Sequence, residues 1–488
     1  MTISQFHQSL RKDPSLGPVL LNKYIEAITH HDQTLKSIIT LNPHAQTEAT
    51  QKQSDSKSHI TSNSAFPPLH SIPIILKDNY TTNNLPTTAG VKALSTLQAP
   101  DNKVVTRLKK AGAIILAKAN LHEFALQGIT LSSRRGQTIN PYDPTRTPGG
   151  SSGGTAAAIA AGFGLLGCGT DTVNSVRSPA SACGIVGFRP STGRVPCDGI
   201  VPVSKTQDVA GPMGTCVADV RVLYRVMAGL EPASVSAAAR KSKVRIGVLD
   251  AYFLPDEGAD EEVMAENGIV QGIVRSALGD IGEDEDIVLV PVSASCHPDW
   301  SFGTLLEKGD TQAFEFRDCL DEFLQMEHVE SPHRSLESVV RSGEFSREAV
   351  TEVFTAGLED PDTYSMTSKA YLARLAFIES LKSSVQECFE AYELDALSYP
   401  HQRQLPVKLG ARKQCGRNGL LAALTGRPAI CIPAGRSPKT ASAVLGVPVG
   451  LEFMGRHWGE DELLDLAERA ERILQIQQAP DLGFVSQT

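Results

Sequence analysis

The order of apolar and polar positions along the chain predicts an α/β protein. Five mainly apolar segments have the length of a β-strand, at residues 72–76, 113–117, 244–249, 287–292 and 449–454. Stretches with apolar side chains at helical spacing follow three of these segments, at residues 103–111, 260–278 and 461–475. Strands that alternate with helices in this way are typical of α/β architecture.

Three regions of the chain are expected to depart from this alternation. Residues 1–48 carry apolar positions at helical spacing, which predicts an N-terminal helical hairpin. Residues 46–64 are rich in Ser, Thr, Gln and Lys and predict a surface connection, so we divide the chain into segment 1–65 and a large domain, 66–488. Residues 295–395 are mainly helical in pattern, and we expect these helices to pack over a sheet.

Composition and charge restrict the possible partners. The formal net charge of −9 argues against nucleic acid or an anionic membrane, since both attract a positive surface. No apolar stretch has membrane-spanning length, and the N-terminus lacks the apolar core of a signal peptide. We expect a cytoplasmic monomer or homodimer that binds no metal. Nine cysteines without metal-ligand spacing are expected to be reduced, namely Cys168, Cys183, Cys197, Cys216, Cys296, Cys319, Cys388, Cys415 and Cys431.

The sequence TPGGSSGGT, residues 147–155, directly precedes the alanine-rich residues 156–161. Glycines and serines at the start of a helix would place backbone N–H groups and hydroxyls where the helix dipole favours negative charge. The alternative is a flexible turn that only caps the helix. A phosphate-binding loop is excluded because no Gly-Lys-Ser/Thr follows, and the glycines of residues 162–167 lack the strand-to-helix setting of a dinucleotide site.

Ser175 lies in the polar segment 169–180, where Asp171 and Arg177 could pair across a tight turn. An activated serine needs a base within hydrogen-bond reach, and none of the twelve histidines lies in a hydrolase-like glycine or serine context. The remaining base is a lysine held neutral by burial, for which Lys77, directly after an apolar run, is best placed. Taken alone, Lys77 also fits a solvated strand end.

Three segments together resemble the amidase-signature family. They are IPIILKDN at residues 72–79, GGSSGG at 149–154 and GTDTVNSVR at 169–177. An interval of 24 residues separates Ser151 from Ser175, as in that family. Chance agreement of all three segments and the interval is very improbable.

The resemblance is strong over residues 66–230 and looser over the rest of the domain 66–488. It implies an α/β fold with a large mixed, mostly parallel β-sheet covered by helices on both faces. It also implies that the domain is a catalytic domain without a cofactor.

Matched position by position, the resemblance implies a Ser-Ser-Lys apparatus. Ser175 would be the nucleophile, Lys77 the general base, and Ser151, joined to Gly150 by a cis peptide bond, the proton relay. Backbone N–H groups would hold the oxyanion at Thr172, Val173, Asn174 and Ser175. Supporting roles are implied for Ser152, Asp171 and Arg177.

The chain departs from the commonest family pattern at Val173 and Asn174, where two glycines usually precede the nucleophile. These side chains would narrow the acyl pocket, or Asn174 would donate to the substrate. The departure argues against the glutamine-hydrolysing subunit of a tRNA amidotransferase, which has the two glycines. The expected function is hydrolysis of a small carboxylic amide. The alternatives are an acyl transferase or esterase with the same acyl-enzyme, and a catalytically silent binding subunit.

Substrate contacts are expected in two regions that correspond in position to the variable pocket walls of the family. These are residues 126–140 and the helical region near Trp300. The candidate substrate-binding residues are Ser132, Arg134, Trp300 and Phe316. Arg134 or Arg135 could bind a substrate carboxylate, although a solvated loop arginine is the commoner case.

Overall fold

The computed structural model describes residues 1–231, 243–256, 258–293 and 297–476. The strands in these ranges are β1 Ile38–Leu41, β2 Pro73–Lys77, β3 Ile114–Ala119, β4 Leu131–Ser132, β5 Gly136–Gln137, β6 Leu166–Asp171, β7 Val186–Arg189, β8 Val209–Gly214, β9 Val244–Leu249, β10 Ile287–Val292, β11 Ala396–Pro400, β12 Ala429–Arg436 and β13 Pro448–Gly455. The helices are α1 Ile3–Lys12, α2 Leu16–Leu35, α3 Ala45–Thr61, α4 Lys103–Lys110, α5 Gly153–Ala160, α6 Arg177–Cys183, α7 Val217–Ala228, α8 Glu261–Gly282, α9 Phe302–Gly309, α10 Gln312–Gln325, α11 Leu336–Ser342, α12 Glu352–Glu359, α13 Lys369–Ala391, α14 Leu420–Thr425 and α15 Glu460–Leu474.

Eleven strands form one mixed sheet in the order β1-β3-β2-β6-β8-β7-β12-β13-β11-β9-β10, and β4 pairs with β5 separately. The expected large mixed sheet is confirmed. Its expected predominance of parallel pairs is wrong: four neighbouring pairs are parallel and six are antiparallel in the described residues. The connections give the physical reason. A loop without a crossover helix joins β7 to β8, and another joins β12 to β13, so the strands of each pair run antiparallel.

Helices cover both faces of the sheet, as expected. Helices α5 and α7 both pack against β6 and β8, while α6 and α15 both pack against β12 and β13. Helix α5 contacts α6, and α7 contacts α15, so the four helices belong to two layers. Every residue of β2, β3 and β6 is buried, which is typical of strands between two helical layers.

The N-terminal segment is more regular than its sequence indicates. Helices α1 and α2 confirm the predicted helices, but β1 was not predicted and forms the edge strand beside β3. The predicted surface connection at residues 46–64 is wrong, because helix α3 occupies most of it. Only small side chains of α3 are buried, at Ala45, Ala49 and Ser56, so the hydropathy pattern of this helix is weak.

The predicted helical region is confirmed over the described residues from 297 onward, which form α9 to α13. Eight cysteines are free thiols in the structure, and Cys296 lies outside the described residues. Among the helices described, none combines the length and the apolar character that crossing a bilayer requires.

Candidate active site

Lys77 is the last residue of β2, whose carboxyl end lies beside that of its parallel neighbour β6. Its side chain is fully buried. Lys77 Nζ lies 2.7 Å from Ser151 Oγ and 2.7 Å from Thr170 Oγ1, within hydrogen-bond distance of both. The solvated strand end is therefore excluded, and Lys77 and Ser151 are brought together.

Burial changes the protonation of Lys77. Desolvation lowers its pKa to about 7, against an ordinary value of 10.5, and the carboxylates of Asp208 and Asp171 oppose this only in part. A large fraction of Lys77 is therefore neutral near pH 7. A neutral amine at this position can accept a proton from Ser151.

The glycine-rich turn carries Ser151 and Ser152 into the start of α5, and the peptide bond between Gly150 and Ser151 is cis, as expected. Ser152 N donates to Ser175 O at 3.1 Å, and Ser152 Oγ donates to Thr170 O at 3.2 Å. Ser152 thus joins the glycine-rich turn to β6 and to the turn that carries Ser175.

Gly154 allows this turn to approach the neighbouring backbone closely. A Cβ atom at Gly154 would lie 2.2 Å from Asn120 O, a distance that real Cβ atoms do not adopt. We expect Gly154→Ala to reduce the free energy of unfolding by about 1–3 kcal/mol, since the backbone around it must shift.

Gly268→Ala in α8 is the matched control for this prediction, because a Cβ there would meet nothing within 4 Å. The higher helix propensity of alanine should stabilise that variant by about 0.5–1 kcal/mol. Urea unfolding of both variants checks the prediction. Equal stabilities of the two variants would mean that Gly154 is not held against Asn120.

Ser175 lies in the turn between β6 and α6, and it is 7% exposed whereas Ser151 is fully buried. In the described ranges, the backbone N–H groups of Val173, Asn174 and Ser175 donate to no protein acceptor. No hydrogen bond between described residues joins Ser175 Oγ to Ser151 Oγ. The structure therefore brings Ser175 next to Ser152, with free backbone donors beside it.

A buried ion network supports the Ser175 turn. Arg177 donates from Nε and Nη2 to the two carboxylate oxygens of Asp171, each at 3.1 Å, which confirms the predicted pairing. Arg189 Nη1 donates to Asp171 at 3.0 Å, and Arg177 also pairs with Glu452, which is hydrogen-bonded to His401. All of these side chains are fully buried.

Charges in the network offset the effect of burial on the acids. Burial alone would raise the pKa of Asp171, but Arg177 and Arg189 outweigh it and lower that pKa. Burial would also raise the pKa of Glu452, but Arg177 and His401 outweigh this effect and lower that pKa. Both carboxylates are therefore ionised at neutral pH and hold the two guanidiniums beside the Ser175 turn.

Several residues of the site were missed by the sequence analysis. Thr170 Oγ1 accepts from Lys77 and, at 3.1 Å, from Asn79 Nδ2. Asp208 accepts from Thr172 Oγ1 at 2.6 Å and lies close enough to act on the pKa of Lys77. Thr170 and Asn79 stand within the family-like segments, so those segments contained their signal, whereas Asp208 precedes β8 without a motif of its own.

The substrate-contact candidates are distributed over different places. Ser132 is buried and donates to Asn120 Oδ1 at 2.7 Å, and the Arg134 side chain is exposed. Phe316 is fully buried between Phe124 and Phe354, so the expectation that it contacts substrate is corrected to a core role. Arg135, which was predicted as a possible ligand of a substrate carboxylate, forms an ion pair with Asp32 at 3.0 Å.

Trp300 is the candidate that shares an apolar cluster with a residue of the Ser175 turn. It belongs to the apolar cluster that also contains Val173, Tyr252 and Leu249. Its ring stacks on His297 with centroids 3.9 Å apart. With Leu249 and Tyr252, Trp300 lines a small, mostly apolar cavity. The Val173 side chain, which replaces the usual glycine, therefore packs into this cluster.

Comparison with known proteins gives consistent results. The sequence model of the amidase family matches residues 19–464. The chain is 30% identical to a glutamyl-tRNA(Gln) amidotransferase subunit from Psychrobacter sp. (strain PRwf-1), over 96% of this chain and 95% of that protein. It is 32% identical to indoleacetamide hydrolase from Agrobacterium vitis, over 85% of this chain and 86% of that protein.

A solved structure with a similar fold is the native peptide amidase from Stenotrophomonas maltophilia. The TM-score is 0.78 with 28% sequence identity, and the match covers 95% of each chain.

Within the described residues, no three His, Cys, Asp or Glu side chains are grouped so that they could hold a metal ion.

Proposed function

The chain belongs to the amidase signature family, and on that premise we propose that it hydrolyses a small carboxylic amide through an acyl-enzyme on Ser175. The observation that carries this proposal is the fully buried Lys77, with Nζ 2.7 Å from Ser151 Oγ and a pKa lowered to about 7 by burial. A neutral amine that contacts a buried hydroxyl is the base that serine activation requires without histidine.

In the proposed reaction, Ser175 Oγ attacks the amide carbonyl carbon while its proton passes to Ser151 and the proton of Ser151 passes to Lys77. The hydroxyl of Ser175 must turn toward Ser151 for this transfer. The oxyanion receives hydrogen bonds from the backbone N–H groups that lie free around Val173 and Asn174. The C–N bond then breaks, and the leaving amine takes a proton from Ser151, which Lys77 replenishes.

Water attacks the acyl-enzyme in the second half of the proposed reaction. Its proton follows the same route through Ser151 to Lys77. The ester C–O bond then breaks, and Lys77 returns the proton through Ser151 to the leaving Ser175 Oγ. The products are a carboxylic acid and free enzyme. Ser152, Asp171 and Arg177 hold the two turns in place in this proposal, through the contacts described above.

The pH dependence of kcat/KM follows from the lowered pKa of Lys77. Only the unprotonated amine accepts a proton, so kcat/KM should fall about tenfold per pH unit below pH 7 and level off above it. Initial rates between pH 5.5 and 9, with the fraction of folded protein measured at each pH, check this expectation. A rate that declines as the pH rises through 7 would contradict a lysine base.

The experiment that tests the proposed function measures ammonia or amine release from aliphatic, aryl and peptide C-terminal amides. Ser175→Ala and Lys77→Ala should both abolish release. Ser181→Ala is the matched control, because Ser181 is also a buried serine of this region, and its hydroxyl accepts from Gly450 N. Release that persists in Ser175→Ala would contradict the proposal.

Two other functions use the same acyl-enzyme. Transfer of the acyl group to an amine or alcohol, or cleavage of an ester, would follow if the site admits such groups in place of water. Similarity to the amidotransferase subunit favours inclusion of glutamine in the panel. The side chains of Val173 and Asn174, in place of two glycines, argue against the function of a glutamine-hydrolysing amidotransferase subunit. Labelling of Ser175 without amide hydrolysis would favour transfer, and no labelling would favour a silent subunit.

The setting of the enzyme is part of the same proposal. Eight free cysteines among the described residues suit a reducing compartment, and we propose a cytoplasmic monomer or homodimer. Residues 1–65 and 66–488 would form one folding unit, since β1 of the first segment pairs with β3 of the second.

A further inference from the structure

Two neighbouring side chains beside Ser175 each carry a buried hydrogen-bond donor without an acceptor among the described residues. Asn174, the residue before Ser175, is fully buried, and its Nδ2 has no hydrogen-bond partner in the described part of the chain. The same holds for Nε of the half-buried Arg417, which lies just before α14. Arg417 Nη1 makes a long contact of 3.4 Å to Asn174 Oδ1, so the two side chains are neighbours.

Arg417 differs from the fully buried arginines of this site. Arg177 and Arg189 pair with Asp171, whereas Arg417 forms no ion pair with any described residue. Asp310 lies close enough to act on the pKa of Arg417, but its oxygens accept from Gln312 Nε2 at 2.9 and 3.1 Å.

Arg417 nevertheless carries a positive charge at neutral pH. Burial lowers its pKa to about 10, which is still well above 7. A buried cation that lacks a carboxylate is unfavourable, because it has left water without a full set of acceptors. An acceptor-rich anionic ligand would satisfy both donors and the charge.

The position of Arg417 places such a ligand at the reaction site. A Cβ atom at Gly128 would lie 2.7 Å from Arg417 Nη1, and a Cβ atom at Gly150 would lie 3.0 Å from the carbonyl carbon of Gly128. Gly150 directly precedes Ser151, and Asn174 directly precedes Ser175. The guanidinium is therefore next to Asn174, which precedes Ser175, and next to Gly128, which packs against the residue before Ser151.

We propose that Arg417 and Asn174 bind a carboxylate of the substrate, so that the preferred substrates are amides that carry a carboxylate. This inference rests on the proposed amide hydrolysis and names its substrate class. The guanidinium provides a planar pair of donors that matches two carboxylate oxygens, and Asn174 Nδ2 donates to one of them. The proposed carboxylate site also explains an asparagine at position 174, where glycine is usual in the family.

The test compares charged amides with neutral amides of the same length. The pairs are succinamate with butyramide and glutaramate with pentanamide, assayed with wild type, Arg417→Gln and Arg417→Lys. Arg412→Gln is the matched control, since Arg412 is exposed in the same loop and its replacement changes the net charge equally. Wild type should prefer the charged member of at least one pair.

In Arg417→Gln, kcat/KM for the preferred charged amide should fall about 10- to 100-fold, mainly through KM. The neutral partner should change less than about threefold. Arg417→Lys should give an intermediate loss, because it keeps the charge without the paired donors. Arg412→Gln should behave as wild type. A merely structural role of Arg417 would reduce both members of a pair equally.

A second measurement does not depend on turnover. Succinate or glutarate should slow the labelling of Ser175 by a fluorophosphonate in wild type but not in Arg417→Gln. Hydrolysis of neutral and charged amides at equal rates, without an effect of Arg417→Gln or protection by either dicarboxylate, would overturn the inference and leave the proposed hydrolysis intact. Absence of both hydrolysis and labelling in wild type would overturn the proposed function, and the inference with it.

Discussion

Replacement of Lys77 by methionine is expected to lower kcat for amide hydrolysis about 10⁴-fold and to raise the free energy of unfolding by about 2 kcal/mol at pH 7. The activity is lost because no other group contacts Ser151 Oγ as a base among the described residues. The stability gain follows because a fully buried lysine is replaced by an apolar side chain of similar length.

The size and pH dependence of this gain follow from the pKa of Lys77. Burial lowers that pKa from 10.5 to about 7 in the folded protein. The unfolded chain therefore binds more protons between pH 7 and 10.5, and wild-type stability rises with pH across this window. Below pH 7 the buried charge of Lys77 reduces wild-type stability by about 4–5 kcal/mol. Lys77→Met avoids this cost but loses the hydrogen bonds to Ser151 and Thr170, so its net gain in stability is smaller.

Urea unfolding at pH 6, 7.5 and 9 measures the effect. The advantage of Lys77→Met should be largest at pH 6 and smallest at pH 9. Lys118→Met is the matched control, since Lys118 is also fully buried but pairs with Asp78 at 2.8 Å. That variant leaves a buried carboxylate without its partner and should lose about 3–5 kcal/mol. A Lys77→Met protein that is less stable than wild type at all three pH values would contradict a depressed pKa.

Replacement of Arg177 by methionine is expected to reduce the free energy of unfolding by about 3–5 kcal/mol. The change removes the hydrogen bonds to both oxygens of Asp171, the pairing with Glu452, and the donation from Nη2 to Val173 O at 2.7 Å. Asp171 keeps Arg189, but among the described residues the buried Glu452 carboxylate keeps only His401 and Tyr399 as hydrogen-bond partners.

Arg341→Met is the matched control, because Arg341 forms an exposed pair with Glu337 on α11. Its loss should change stability by less than about 0.5 kcal/mol. A double replacement of Arg177 and Glu452, by Met and Gln, should lose less than the sum of the single losses because the stranded charge is removed. Unfolding free energies that differ by less than about 1 kcal/mol between Arg177→Met and wild type would contradict the supporting role of the network.

Local features of the fold could be predicted from the sequence where apolar runs are continuous. Strands β9 and β10 have the predicted bounds because both are short, mainly apolar segments flanked by polar residues. Strand direction could not be predicted, since it depends on which strands become neighbours after folding. Helix α3 was missed because it buries only Ala45, Ala49 and Ser56, and β1 because its four residues give too short a pattern.

The site could be predicted only where its residues stand in contiguous motifs. Lys77, Ser151 and Ser175 are in such motifs, and the structure brings Lys77 and Ser151 into contact and Ser175 to the neighbouring turn. Glu452 and Arg417 come from the C-terminal part of the chain, more than 240 residues after Ser175. Their proximity is a consequence of tertiary folding, which periodicity and local spacing do not contain.

The most direct test of the central claim is peptide mapping by mass spectrometry after reaction with a fluorophosphonate. A single adduct is predicted on the peptide that contains Ser175, absent in Ser175→Ala and formed far more slowly in Lys77→Met. A stable, folded wild-type protein that carries the adduct on another residue, or none, would contradict Ser175 as the nucleophile.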